Sequence, residues 1–154
     1  MEVFHQKAFT EISQESSKLR TYNLFKKEVR REPYLSSVKD RISMTKLRLS
    51  NHELMIEKGR HLNLAISERK CPFCNLVEDE AHFLMSCHIY TVLRNDLLNT
   101  VEEKLKDELM VRTDTKIMLK YLLGNTEIAP LVAKYVTKTL ELRNFLIDSP
   151  KRLL

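Results

Sequence analysis

R-K-C-P-F-C-N-L-V-E-D-E-A-H-F-L-M-S-C-H-I-Y, Arg69 to Tyr90, holds all three cysteines of this 154-residue chain and two of its five histidines. Cys71 and Cys74 are spaced C-x2-C, His82 follows after seven residues and Cys87 after four more. Two residues between cysteines form a tight turn from which both sulfurs point to one side. A histidine and a third cysteine from the next segment then complete four donors at tetrahedral corners, the arrangement zinc takes in structural sites. The spacing therefore predicts one structural zinc site at Cys71, Cys74, His82 and Cys87. His88, directly beside Cys87, competes for the fourth corner; thiolate affinity and the knuckle spacing favour Cys87. Three cysteines also fit buried apolar packing or, for the C-x-x-C pair, a redox motif. The redox pair normally opens a helix in a βαβ context, and no such context is visible here.

Working outward, the step of five residues from His82 to Cys87 does not match the α-helical repeat. A helix over this stretch is therefore expected to end or distort near Met85 and Ser86. Glu78, Asp79 and Glu80 precede it where a helix N-terminus favours carboxylates, so they read as dipole partners and solubilising groups rather than as catalysts. Phe83 and Leu84 are expected to plug the site into the core.

The stretch C-P-F-C-N-x-x-E-D-E-x-H-F-L-x-x-C-x-x-Y-x-x-L-R resembles the zinc-binding region C-terminal to the reverse transcriptase in LINE-like (non-LTR) retrotransposon polyproteins. L-R-L-S-N-H-E-L-M-I-E-K-G-R, Leu47 to Arg60, is similar to the block that precedes the knuckle in such proteins. The two blocks cover Leu47 to Arg94, and they depart from the family at His88, where it usually has proline. The resemblance implies binding of element RNA or target DNA, contact with a reverse transcriptase core, and a non-catalytic role. The family's polymerase would need palm carboxylates, and no Y-x-D-D-like motif occurs here. The expectation is a C-terminal part alone, as a fragment, a domesticated remnant or a degraded element.

Charge points the same way. Residues 1–70 hold 15 Lys and Arg against 9 Asp and Glu, a balance of +6, whereas residues 71–154 hold 11 against 12, a balance of −1. Such asymmetry suits a polyanion, although a basic helix is often only a solvated face. Lys18, Arg20, Lys26, Lys27, Arg30 and Arg31 form the densest patch, with Arg41, Lys46 and Arg48 on the next helix and Arg69 and Lys70 at the knuckle. These are the candidate nucleic-acid contacts, since affinity for phosphates accumulates over several cations.

Composition predicts an all-α fold of about six or seven helices with one inserted zinc-knuckle hairpin. Only two Gly, four Pro and no Trp are present, and 43% of residues are hydrophobic. Apolar periodicity places helices over 2–13, from Ser16 or Ser17 to Pro33, over 35–49, from Ser50 to Gly59, over 89–110, from Asp114 to Gly124, and over 127–148. In the fourth, Ser50 and Glu53 match a capping box, Gly59 matches a C-terminal cap, and His52 reads as a surface residue of the first turn. Val38, Ile42, Ile117 and Phe145 are expected inside. Residues 60–70 read as a loop. The whole is expected to be a single domain, 1–154, with a basic helical part (1–68), the knuckle (69–90) and a helical C-terminal part (91–154).

No run approaches the roughly 20 apolar residues of a membrane span, and no secretory leader or disulfide framework is visible. A nuclear or cytoplasmic protein with reduced thiols is expected. The deaminase pair H-x-E and P-C-x-x-C, H-E-x-x-H and glycine-rich phosphate loops are all absent from the sequence. A two-ion RING-type module would need eight ligands. Four protein ligands leave no open position for water, so no enzyme is expected. The alternative function is a zinc-stapled helical domain for protein interaction or structure.

Overall fold

A computed structural model describes residues 19–25, 35, 37–105 and 114–149. Among these residues the chain is helical and has no strands. Its α-helices are α1 (Arg20–Phe25), α2 (Val38–Arg48), α3 (Met55–His61), α4 (Thr91–Leu105), α5 (Thr115–Gly124) and α6 (Ala129–Asp148). The expected helix over 2–13, most of the helix ending at Pro33 and residues 106–110 lie outside the described residues.

The local stop and start signals decide several boundaries. Ser37 Oγ accepts the Asp40 N–H at 3.3 Å and caps α2. Asp114 Oδ1 accepts the Lys116 N–H at 2.7 Å and caps α5. Pro130 sits in the first turn of α6, where its missing N–H has no helical partner to lose.

The spine of the fold is α6, against which α2, α4 and α5 all pack, while α1 lies on α5. Its buried stripe is Ala129, Val132, Ala133 and Val136, the i, i+3, i+4, i+7 pattern of one helix face. Met44 and Leu47 from α2, Leu97 and Val101 from α4, and Leu119, Leu122 and Leu123 from α5 close on it. Burial of each such side chain contributes about 1.5–3 kcal/mol. Helix phase explains which apolar residues stay out. Val38 and Ile42 lie more than about 100° of rotation from the Met44–Leu47–Arg48 face, and they are 60% and 49% exposed. Ile117 lies off the buried face of α5, and Phe145 falls about 2.5 turns after Val136, on the opposite side of α6; both are exposed, contrary to expectation.

The entry to α3 also departs from the sequence reading. Ser50 adopts a left-handed φ of 50°, and its hydroxyl donates to Glu80 Oε1 at 3.1 Å rather than capping a helix. The helix starts later, at Met55, and its N-cap Leu54 offers no side-chain cap. The cap comes from Glu78, which is 23 residues away: its Oε2 accepts the Met55 N–H at 2.7 Å. A carboxylate accepting a backbone N–H at a helix start makes a charge-assisted hydrogen bond, stronger than one between neutral groups.

Gly59 does not end α3, which runs on to His61. A Cβ at Gly59 would stand 2.4 Å from Arg69 Cγ. That side chain cannot simply swing away. Its guanidinium donates to the Leu64 carbonyl at 3.1 and 2.9 Å and to the Ile56 carbonyl at 2.9 Å. Gly59→Ala gains about 1 kcal/mol of helix propensity but must displace Arg69. A net destabilisation of about 1–2 kcal/mol is expected, read as a lowered urea midpoint. Between Leu62 and Lys70 the chain is mostly irregular, as expected, with one 3₁₀ turn at Ile66–Glu68.

Candidate metal centre

The knuckle is built from backbone hydrogen bonds. An isolated antiparallel bridge pairs Lys70 with Val77, and the Glu78 N–H donates to the Arg69 carbonyl at 2.9 Å. Inside it the Cys71 N–H donates to Leu76 O at 2.7 Å and the Asn75 N–H to Cys71 O at 3.2 Å. The reversal is made at Asn75, whose φ is 59°; asparagine tolerates this left-handed conformation better than most residues. Cys71 and Cys74 are thereby turned to one side.

The other two donors come from a widened turn. Asp79 opens it: its Oδ1 accepts the His82 N–H at 2.7 Å and its carbonyl accepts the Phe83 N–H at 2.9 Å. Residues His82–Ser86 then form a π-helical turn, closed by the Cys87 N–H donating to His82 O at 2.9 Å. Five residues complete one such turn, so His82 and Cys87 face the same way. This is the distortion that the spacing required. The turn is held from behind by Tyr135 of α6, whose hydroxyl donates to Leu84 O at 3.2 Å with Phe83 O at 3.5 Å. Arg94 Nη1 donates to Cys87 O at 3.1 Å. Phe83 is fully buried and meets Tyr90 edge-on at 5.4 Å, while Phe73 of the knuckle reaches the same ring at 6.3 Å.

The result is a cluster of Cys71, Cys74, His82 and Cys87 whose ligand atoms all lie within 4.8 Å of one another. Cys71 Sγ is 3.9 Å from Cys87 Sγ, and Cys74 Sγ is 3.1 Å from His82 Nε2. A tetrahedron with metal–sulfur bonds of about 2.3 Å has sulfur–sulfur edges of about 3.8 Å, so the spacing fits a metal. It is far too long for a disulfide, whose sulfurs are about 2.05 Å apart. His88 is exposed and outside the cluster, whereas Cys87 is fully buried within it.

Burial sets the protonation of Cys71, His82 and Cys87. It pushes the Cys71 thiol up to about 12, with Cys74, Cys87 and Glu78 adding to the rise. Burial likewise raises Cys87 and lowers His82. Without a cation Cys71, Cys87 and His82 are therefore neutral. The imidazole is ready to ligate, but each thiol must release a proton to do so. Metal affinity is expected to climb as pH rises through the neutral range, by up to about tenfold per unit for each thiol deprotonated. Chelator competition between pH 6 and 8 measures the slope. The metal-free fold carries the opposite dependence. Its raised Cys71 stabilises it fully below the ordinary value of 9.0, and that contribution is lost as pH climbs toward 12.

The acidic run divides. Asp79 stands at the helix start, as expected of all three, but Glu78 and Glu80 are buried and structural. Glu80 Oε1 accepts from Ser50 and lies 3.0 Å from His52 Nε2. His52 is correspondingly buried, not a surface residue of a first helical turn. Glu78 takes a two-pronged ion pair from Arg143, with Nε and Nη2 each 2.8 Å from a carboxylate oxygen. Sequence reasoning missed Arg143, although a signal exists: it continues the inward stripe of α6 one heptad after Val136.

Among the expected nucleic-acid contacts, Arg41, Lys46 and Lys70 are exposed. Arg48 is not available: it is 5% exposed and donates through Nη2 to the Leu123 carbonyl. Arg69 is half-buried and committed to the carbonyls of Leu64 and Ile56. A guanidinium can satisfy several orphan carbonyls at once, and the fold uses Arg69 that way. Arg20 begins α1, and Lys18, Lys26, Lys27, Arg30 and Arg31 lie outside the described residues.

No family model, curated protein or solved structure matches this chain. The likeness to the retrotransposon region thus rests on its two sequence blocks. No helix among the described residues is long and apolar enough to cross a membrane.

Proposed function

We propose that this chain is a zinc-binding, non-catalytic module of retrotransposon origin that binds nucleic acid, either element RNA or target DNA. The observation that carries the reading is the closed set of three sulfurs and one imidazole nitrogen within 4.8 Å. Soft sulfur donors with one imidazole suit zinc, and four protein ligands make the ion a structural staple rather than a catalyst. In this reading the staple orients the basic N-terminal half, and Lys and Arg supply the affinity. Among its expected contacts, Arg41, Lys46 and Lys70 are exposed. The patch from Lys18 to Arg31 and a contact with a reverse transcriptase core, in the nucleus or cytoplasm, belong to the same proposal.

The test is the salt dependence of binding to RNA and single-stranded DNA. The logarithm of affinity should fall against the logarithm of salt with a slope of about −0.7 for each phosphate neutralised. Charge reversal at Arg41 and Lys46 should flatten that slope. A salt-independent response in the unaltered protein sinks the proposal.

A second reading, a zinc-stapled domain for protein interaction, is favoured by the exposure of Val38, Ile42 and Phe145 on the packed pair α2 and α6. It expects sedimentation to show self-association or a stable partner complex, insensitive to charge reversal at Lys26, Lys27, Arg30 and Arg31.

A further inference from the structure

Glu78 stands midway in the ligand set, four residues after Cys74 and four before His82. Its backbone belongs to the knuckle and its neighbour: the N–H donates to Arg69 O at 2.9 Å, and the carbonyl accepts the Ile56 N–H at 3.0 Å. Its carboxylate leaves the knuckle altogether. One oxygen accepts the Met55 N–H at 2.7 Å, and both oxygens accept the fork of Arg143 at 2.8 Å. The two side chains are 1% and 5% exposed. One residue thus closes the knuckle, caps α3 and fastens α6.

Beyond buried Cys71 and the edge contact of Phe73 with Tyr90, the knuckle packs only partly on the core. Pro72, Asn75 and Leu76 are exposed, and Phe73, Cys74 and Val77 are only half-buried. Residues 70–78 are anchored at one end by whatever joins Cys71 and Cys74 to His82 and Cys87, and at the other by Glu78. These two anchors act in series. We infer that Glu78 and Arg143 couple the metal centre to α3 and α6, so that the seating of α6 strengthens metal binding and a bound metal strengthens the seating of α6. The inference rests on the metal reading above and not on nucleic-acid binding. Coupling of this kind is reciprocal by thermodynamic necessity. It also gives the ion a reach beyond its own turn, because α2, with Arg41 and Lys46, packs on α6.

Arg143 is a positioning residue in this scheme, since it touches Glu78 and none of the four ligands. A purely structural arginine would stabilise the metal-free and metal-bound protein alike and leave metal affinity unchanged. The experiment is zinc competition against a chromophoric chelator in the full chain. It compares the unaltered protein with Arg143→Met, Arg143→Lys and Lys39→Ala, the last breaking the exposed pair between Lys39 of α2 and Glu141 of α6. Arg143→Met should weaken zinc about 10-fold, the lower end of the range seen when groups bonded directly to the ligands are removed. Arg143→Lys should recover part of the loss, and Lys39→Ala should bind as the unaltered protein does. With cobalt in place of zinc, the tetrahedral absorption bands should be unchanged at saturation. Unaltered zinc affinity in Arg143→Met overturns the inference. If that variant does not fold, hydrogen exchange of the unaltered protein decides: zinc should slow the amides of residues 55–58 and 140–146, and equal rates with and without zinc overturn the inference. An unaltered protein that takes up no zinc overturns the metal reading, and this inference with it.

Discussion

Cys71→Ser and Cys87→Ser are each expected to abolish stoichiometric zinc binding and the stabilisation that zinc confers. Serine matches cysteine closely in shape, so little packing is lost, but its hydroxyl does not ionise to supply the missing thiolate. Structural zinc contributes on the order of 10 kcal/mol to folding in small zinc peptides. Here the helices have their own core, so the loss should fall first on residues 69–90. Two measurements check this. Metal content by mass spectrometry should drop from one zinc to none. A chelator should lower the melting temperature of the unaltered protein but leave that of the variants unchanged. His88→Ala is the control and should keep its zinc, because His88 is exposed and outside the cluster. Zinc retained in Cys87→Ser and lost in His88→Ala would reverse the assignment of the fourth corner.

Arg143→Met is expected to destabilise the metal-saturated protein by about 3–5 kcal/mol, since it strands a buried carboxylate. In a chain of this size each kcal/mol moves the melting temperature by about 2–4 °C, so the shift is easily resolved. The asymmetry of buried pairs supplies a second arm. Replacing both partners, as Glu78→Leu with Arg143→Met, removes the uncompensated charge and should restore part of the loss. Full recovery is not expected, because the Met55 N–H loses its acceptor, a cost of about 1–3 kcal/mol. Urea denaturation of the two variants beside the unaltered protein gives the comparison. Arg143→Met within 1 kcal/mol of the unaltered chain would show that the pair does not matter to stability.

What was legible in the sequence is what is decided locally. The four clustered ligands lie within one short stretch, the mismatch between five residues and a helical turn foretold the π-helical distortion, and Asp114, Gly124 and Pro130 marked helix ends that the fold keeps. Val38, Ile42, Ile117 and Phe145 were misread in helix phase, but the misread polar positions share a different property: their partners are distant. Ser50 turned from capping a helix to meeting Glu80, 30 residues on. Arg48, which looked like a surface cation, reaches a carbonyl 75 residues away. Glu78, which looked like a solvated acid, is paired across 65 residues. Gly59 was required not by a helix end but by Arg69 lying over it. Local propensity carries no information about such partners, and the polar interior of this fold is made of them.

The same distances impose an order on synthesis. Cys71, Cys74, His82 and Cys87 all leave the ribosome before the first residue of α6 is added, whereas the ion pair and the Tyr135 brace both need that helix. At translation rates of about 5–20 residues per second, roughly 3–11 s separate the addition of Cys87 from that of Arg143. A nascent chain therefore offers a complete ligand set while its helical core is still missing its spine. Metal captured in that interval would enter an open clip, and α6 would close over a site already loaded.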